Sequence, residues 1–527
     1  MIKTIGLFFL SLVAIVGISI TVATAQPVVT PPSFVPSSSD PIFTPLHLYY
    51  LSQTGNDANN GLTPATAWLT PNHSVKCGDV IIDATGNYAR QFNTWGTSSD
   101  CPSTSGGIDS TGGIYFATML CGGTFVGACN NTLTSSGNTF DINKSNWAVM
   151  GWSSTTPNTS GQSSSFFMDA CSVASTLHHV AFINNESINS GSSFLAGPCA
   201  STTSFDYWAV VGNIAERGNT DGPSVCGGSI NPVSPQNFDT VAGTHIFIHG
   251  NGVWNSVGPG CSSNSDGEGV NLDSFDRLNY SQKTVLTNNI IYTSHTFGIN
   301  IFYAGGGIGI QTPFNICNNT MYNNSINGFP VGGNYGGITF NGSTSPWATT
   351  LCKNIVQEPN STNTGGGGVF ALEVGNPQPN AVIGGTGVEN ILKGAHTSCP
   401  GSCDPGNNAV AFNGANVGIN IYTNPLFTNV TDLINNQNGP PNCSSFQSVT
   451  QCMGYDPLTS TLTVPSIISD LQASCAGCSG KGYQLPNKTC APNPDYPVWC
   501  KGICGGLYWD GVNVRVMRSL ITVPCGL

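Results

Sequence analysis

Ionisable side chains are scarce in this chain, with 14 Lys and Arg and 26 Asp and Glu among 527 residues, so a cluster of them marks where chemistry is to be sought. The densest cluster is SDGEGVNLDSFDRLNYSQK, Ser265 to Lys283, which holds Asp266, Glu268, Asp273, Asp276, Arg277 and Lys283. Carboxylates gathered at one turn are hard oxygen donors of the kind calcium takes. Two carboxyl groups at about 5–5.5 Å, or at about 6.5–9.5 Å, instead suit glycoside hydrolysis with retention or inversion. Asp266 with Asp273, and Glu268 with Asp276, are the pairs to test against those distances. Two plainer roles fit the same residues: a structural calcium clip on a long loop, and a solvated turn.

These residues need a scaffold, and the sequence supplies one by repetition. Six segments align on one Asn: Asn185, Asn213, Asn251, Asn289, Asn319 and Asn354, at intervals of 28, 38, 38, 30 and 35 residues. Each carries an apolar residue two or three before the Asn, and most carry another just after it. Spacing of this kind suits one turn of a β-solenoid with loops of variable length. Asn tolerates left-handed backbone at the sharp corner, and its amide can bond to its counterparts along the axis. Between these segments lie second strands such as GEGVNLDSF (267–275), FGINIFY (297–303) and GGITFN (336–341). Strict alternation puts Val270, Leu272, Ile299, Ile301, Ile338 and Phe340 inside. Asn271 and Asp273 then face outward. Glu373 is expected three turns further along, about 14 Å away at strand spacing. Phe302 and Tyr422 also alternate outward as candidate platforms for sugar rings, while His178 and His179 point to opposite faces of their strand.

Composition bounds the setting. Residues 1–25 read as a signal peptide: Lys3, an apolar stretch from Ile5, then Ala23-Thr24-Ala25 before Gln26. Once that is cleaved no stable membrane span remains. Residues 26–45 are a Pro/Ser-rich linker, 46–433 the repeat domain, and 434–527 a Cys-rich C-terminal cap over the open solenoid end. Twenty Cys in an exported chain are read as disulfides rather than zinc ligands, including Cys475-x-x-Cys478. Charged residues are 8% of the chain, against about 25% in ordinary soluble domains. The net charge of −12 argues against nucleic acid as a partner.

The alternation of Val285–Tyr292 with Gly298–Ile301 resembles the secreted right-handed parallel β-helix repeat proteins of the pectate-lyase-like superfamily. The opening YYLSQTGNDANNGLTPATAW, CGDVIIDATGNYAR (77–90) and the closing NPLFTNVTDL (424–433) extend that resemblance over roughly Leu46 to Leu433. It implies an all-β right-handed parallel β-helix. It further implies β-elimination from a uronate, in which calcium on Asp266, Glu268, Asp273 and Asp276 neutralises the substrate carboxylate. Arg277 or Lys283 would then remove the C5 proton. Asp273, Arg277 and Lys283 are on this view the catalytic candidates, and Asn271, Asn300, Phe302 and Tyr422 the sugar contacts. The expectation is a secreted protein that binds an extracellular polysaccharide and cleaves it, lyase chemistry ranking slightly ahead of hydrolysis. The alternative is a non-catalytic cell-surface or adhesive β-helix, which the low charge and rich Asn, Ser and Thr fit as well.

Overall fold

The computed structural model describes residues 42–83, 86–101, 116–122, 129–134, 137–156, 163–170, 173, 176–188, 190–197, 204–216, 230–232, 244–254, 268–273, 284–287, 289–294, 297–303, 314–324, 336–342, 349–358, 370–374, 381–385, 389–394, 410–411, 416–418, 420, 482–484, 490–492 and 507–516. Short strands from successive turns stack into three parallel sheets of twelve, ten and nine strands. Thr176–Ile183, for example, pairs in parallel with Trp147–Met150 on one side and Ser204–Val211 on the other. The 3-10 turn Pro64–Thr66 is a helical element among the described residues. This is the parallel β-helix that the repeat spacing predicts.

The predicted interior is the observed one. Val270, Leu272, Ile299, Ile301, Ile338 and Phe340 are buried in a single apolar column. The earlier turns fill it with rings, Phe140, Phe166 and Phe194 stacking at 5.0 Å from coil to coil. Each such ring contributes about 1.5–3 kcal/mol by leaving water.

The asparagine ladder forms, and it is longer than the repeat suggested. Asn390 and Asn420 extend the six sequence-aligned residues. At each step the side-chain oxygen of one Asn accepts the backbone N–H of the preceding one, as in Asn213 N–H to Asn251 Oδ1 at 2.9 Å. Its Nδ2 donates to a strand carbonyl, Val210 O in the case of Asn251. The left-handed corner is a separate duty, and here the expectation needs correcting. It falls on the residue before five of the ladder Asn: Asn184 (φ 53), Gly212 (φ 63), Gly250 (φ 67), Asn318 (φ 59) and Lys353 (φ 51). The ladder residue itself enters the next strand, where its amide is aligned with its neighbours. The repeated Asn-Asn and Gly-Asn pairs thus encode two jobs at adjacent positions.

A second polar column runs at the next corner. Asn324 Oδ1 accepts from the Ser294 N–H at 3.1 Å, and Asn324 Nδ2 donates to Glu358 Oε1 at 3.0 Å. Gly298 and Gly337 start strands directly against it. A Cβ at Gly298 would stand 2.6 Å from Gly337 O, and one at Gly337 would stand 2.7 Å from Glu358 Oε1. The glycine of the repeated Gly-Ile-x-Ile pattern is therefore a clearance requirement.

Burial pushes the fully enclosed Glu358 carboxyl from 4.5 up to about 8, although both Asn324 donors favour its charged form. The folded state thus holds this proton more tightly than the unfolded chain. The linked stability is complete below about pH 4.5 and is lost as pH rises through about 8. We expect Glu358→Gln to flatten that dependence. Between pH 5 and 9 urea-unfolding free energies of the variant should improve relative to wild type by about 3–5 kcal/mol. Parallel pH profiles for the two proteins would refute this assignment.

The outer face of the twelve-stranded sheet is apolar over its first turns. Ile82, Leu120, Met150, Ile183 and Val211 follow one another in register and are all buried. A small antiparallel sheet joins the two ends of the described chain here: Ile42–Phe43 pairs with Val514–Val516, which pairs with Leu507–Trp509. The Leu507 N–H donates to Met150 Sδ at 3.1 Å, seating this hairpin on that face. The Leu507–Val516 part of the C-terminal Cys-rich stretch thus lies along the flank of the first turns. Three disulfides are described, Cys77–Cys101, Cys121–Cys129 and Cys317–Cys352, the last joining register neighbours on adjacent strands.

Candidate active site

The nine-stranded sheet carries the polar outer face. Its strands alternate as the sequence predicts, so each inward apolar residue is flanked by outward ones. Along the axis one register row runs Asp141, Phe167, Leu195, Asn231, and then, through the Ile230–Val270 pairing, Asn271, Asn300, Thr339 and Glu373. Glu373 is three strands from Asn271, as expected.

At one end of this face two carboxyl groups meet. Asp141, on Phe140–Ile142, and Asp169, at the end of Ser164–Asp169, sit on neighbouring parallel strands, offset by two residues because Asp141 pairs with Phe167. Their side chains share a hydrogen bond. Burial is the main cause that pushes the Asp141 carboxyl from 3.8 up to about 7, and the charge of Asp169 and their mutual hydrogen bond add to it. Asn138 opposes the shift by donating Nδ2 to Asp141 Oδ2 at 3.0 Å, and Asn138 is itself fixed because its Oδ1 accepts the Ser164 N–H at 2.9 Å. Asp169 is buried, whereas Asp141 keeps partial exposure. The arrangement sets a carboxyl that keeps its proton up to about neutral pH beside a second carboxyl group on an outer face, a pairing suited to acid–base catalysis. On the ten-stranded sheet the Glu186 carboxyl is also raised, mainly by burial and further by the charge of Glu216, against a lowering hydrogen bond from Ser153.

Neither Asp141 nor Asp169 stands out in the sequence. No motif surrounds them, and they are brought together by stacking of consecutive turns. The signal available was positional: both are acids at outward positions of second strands one turn apart.

The expected cluster is described only in part. Asp266, Asp276, Arg277, Lys283 and Tyr422 lie outside the described residues. Asp273 and Phe302 are register neighbours, as Asn271 and Asn300 are. Asn271 faces outward as predicted yet is buried, and so is Asn300. Asn300 Nδ2 donates to Glu268 Oε1 at 3.2 Å and to Asn271 Oδ1 at 3.1 Å, tying the three together. Of the four expected calcium ligands, Glu268 alone has a described side chain, and it is engaged in this amide contact. Among the described residues no group of three or more His, Cys, Asp or Glu is set to hold a metal ion. His178 and His179 do not point apart. His179 takes a left-handed corner (φ 55), which breaks the alternation and lets the two Nδ1 atoms share a hydrogen bond at 2.9 Å.

No family model and no curated protein matches the sequence. Among solved structures the chain is similar to a lacto-N-biosidase from Eubacterium ramulus, with 12% identity over 71% of this chain and 67% of that one and a TM-score of 0.40. It is also similar to a rhamnogalacturonan lyase (12% identity, 72% and 90% covered, TM-score 0.35). A pectate lyase matches at 14% identity, with 64% and 79% covered and a TM-score of 0.29. By its own three parallel sheets, inward apolar column and asparagine ladder, this chain is a parallel β-helix protein.

Proposed function

We propose that this is an exported, carbohydrate-active β-helix protein that hydrolyses an extracellular polysaccharide, with Asp141 as general acid and Asp169 as its carboxylate partner. The observation that carries the reading is the hydrogen-bonded pair on one outer face, one member of which holds its proton near neutral pH. The Asp141 proton passes to the glycosidic oxygen as the C–O bond breaks. Asp169 faces the positive charge developing at the anomeric carbon, and water then adds there and returns a proton to Asp141. The reading of export rests on the leader-like N-terminus and is supported by the disulfides.

Hydrolysis takes precedence over the lyase chemistry expected from the sequence because the acid pair fits proton donation to a leaving oxygen. The test is product analysis on neutral and uronate polysaccharides, with calcium and with chelator. New reducing ends without ultraviolet absorbance of unsaturated uronates would support hydrolysis. Calcium-dependent absorbance would restore the lyase. Binding without any cleavage would favour the adhesive alternative.

A further inference from the structure

Building on the hydrolase reading, we propose that the glycan is neutral and lies along the coil axis, with a remote hydroxyl-binding subsite at Asn300 and Thr339. These two are register neighbours in the outward row that begins at Asp141. Asn300 Oδ1 and Thr339 Oγ1 are each buried without a hydrogen-bond partner, on residues 4% and 2% exposed. Leaving a buried acceptor unpaired is costly, so such atoms are expected to meet a donor at some stage of function. Sugar hydroxyls are donors of the right size and of no charge.

The sign of the row argues for neutrality. It and the neighbouring outward row carry Asp141, Asp169 and Glu373, with Glu268 bonded to Asn300, and among their described residues there is no Lys or Arg. A uronate chain laid on such a face would find no cation among those residues to balance its carboxylates. A neutral chain meets amide, hydroxyl and carboxyl oxygens, each able to accept from its hydroxyls. Asn300 lies five strands from Asp141, about 24 Å at roughly 4.8 Å per strand. That is the reach of an oligosaccharide, so the subsite would act on chain length and leave the bond-breaking step alone.

The experiment is calorimetric titration of the cleavage-impaired Asp141→Asn protein, with and without Thr339→Val, using neutral gluco-, xylo- and manno-oligosaccharides from disaccharide to octasaccharide and oligogalacturonates of the same lengths. We expect affinity for one neutral series to rise with length, oligogalacturonates to bind more weakly, and Thr339→Val to weaken the long neutral ligands by about 3- to 10-fold while sparing the short ones. Val has nearly the shape of Thr and removes an unpaired hydroxyl, so thermal stability of the variant should be equal or higher. Preference for oligogalacturonates, or long-chain affinity indifferent to Thr339→Val, would overturn the subsite. Length-dependent binding that Thr339→Val weakens would uphold it even if wild-type protein cleaves nothing, an outcome that would refute the hydrolase reading alone.

Discussion

Replacing Asn251 with alanine should destabilise the protein by about 3–5 kcal/mol, because it strands two buried backbone groups at once. Asn251 stands mid-ladder and is wholly buried. Its Oδ1 accepts from the Asn213 backbone at 2.9 Å and from Asn213 Nδ2 at 3.1 Å, and its Nδ2 donates to Val210 O and to Asn289 Oδ1, both at 2.9 Å. Alanine leaves the Asn213 N–H and the Val210 carbonyl without partners in a site closed to water. Asn420, at the far end of the ladder and only partly buried, is the internal control. Its alanine variant should lose under about 2 kcal/mol, since water can replace the lost bonds. Urea denaturation followed by circular dichroism measures both. Equal small losses at the two positions would show that the interior amides are not what holds the turns in register.

Asp141→Asn should lower hydrolytic kcat by about 10²–10⁴-fold, the usual contribution of a positioned general acid. The wild-type rate should fall as pH rises through about 7, as the Asp141 carboxyl loses its proton. Asp169→Asn should move that falling limb to lower pH, because one cause of the upward shift is removed while burial, the larger cause, stays. Stability runs in the same direction. Folding raises the Asp141 pKa, so its linked contribution is complete below about 3.8 and is lost as pH climbs through about 7. The Asn variant should therefore be relatively more stable at pH 8 than at pH 4, exchanging activity for stability as catalytic acids commonly do. A pH–rate profile that keeps its alkaline limb in Asp141→Asn would remove Asp141 from the mechanism.

Much of the scaffold was legible because it is periodic. Inward Val270, Leu272, Ile299 and Ile301 follow from alternation, and six ladder residues follow from a recurring Asn with apolar flanks. Asn390 and Asn420 carry the same duty in segments (VENIL and GINIY) that read less distinctly. The division of labour between the left-handed corner residue and the ladder Asn next to it was hidden, because both positions favour Asn and only backbone angles separate them.

What the sequence determined by itself is therefore the repeat: which residues face the interior, which amides stack, and that the result is a parallel β-helix. Those features are set by residue type at a fixed spacing within one turn. The tertiary structure alone decided which outer face is polar, which is covered by the Leu507–Val516 hairpin, and that Asp141 meets Asp169. The physical reason is that loops of unequal length set which positions of consecutive turns come to lie side by side. An acid becomes half of a catalytic pair only when the next turn places a second carboxyl against it and burial holds a proton between them.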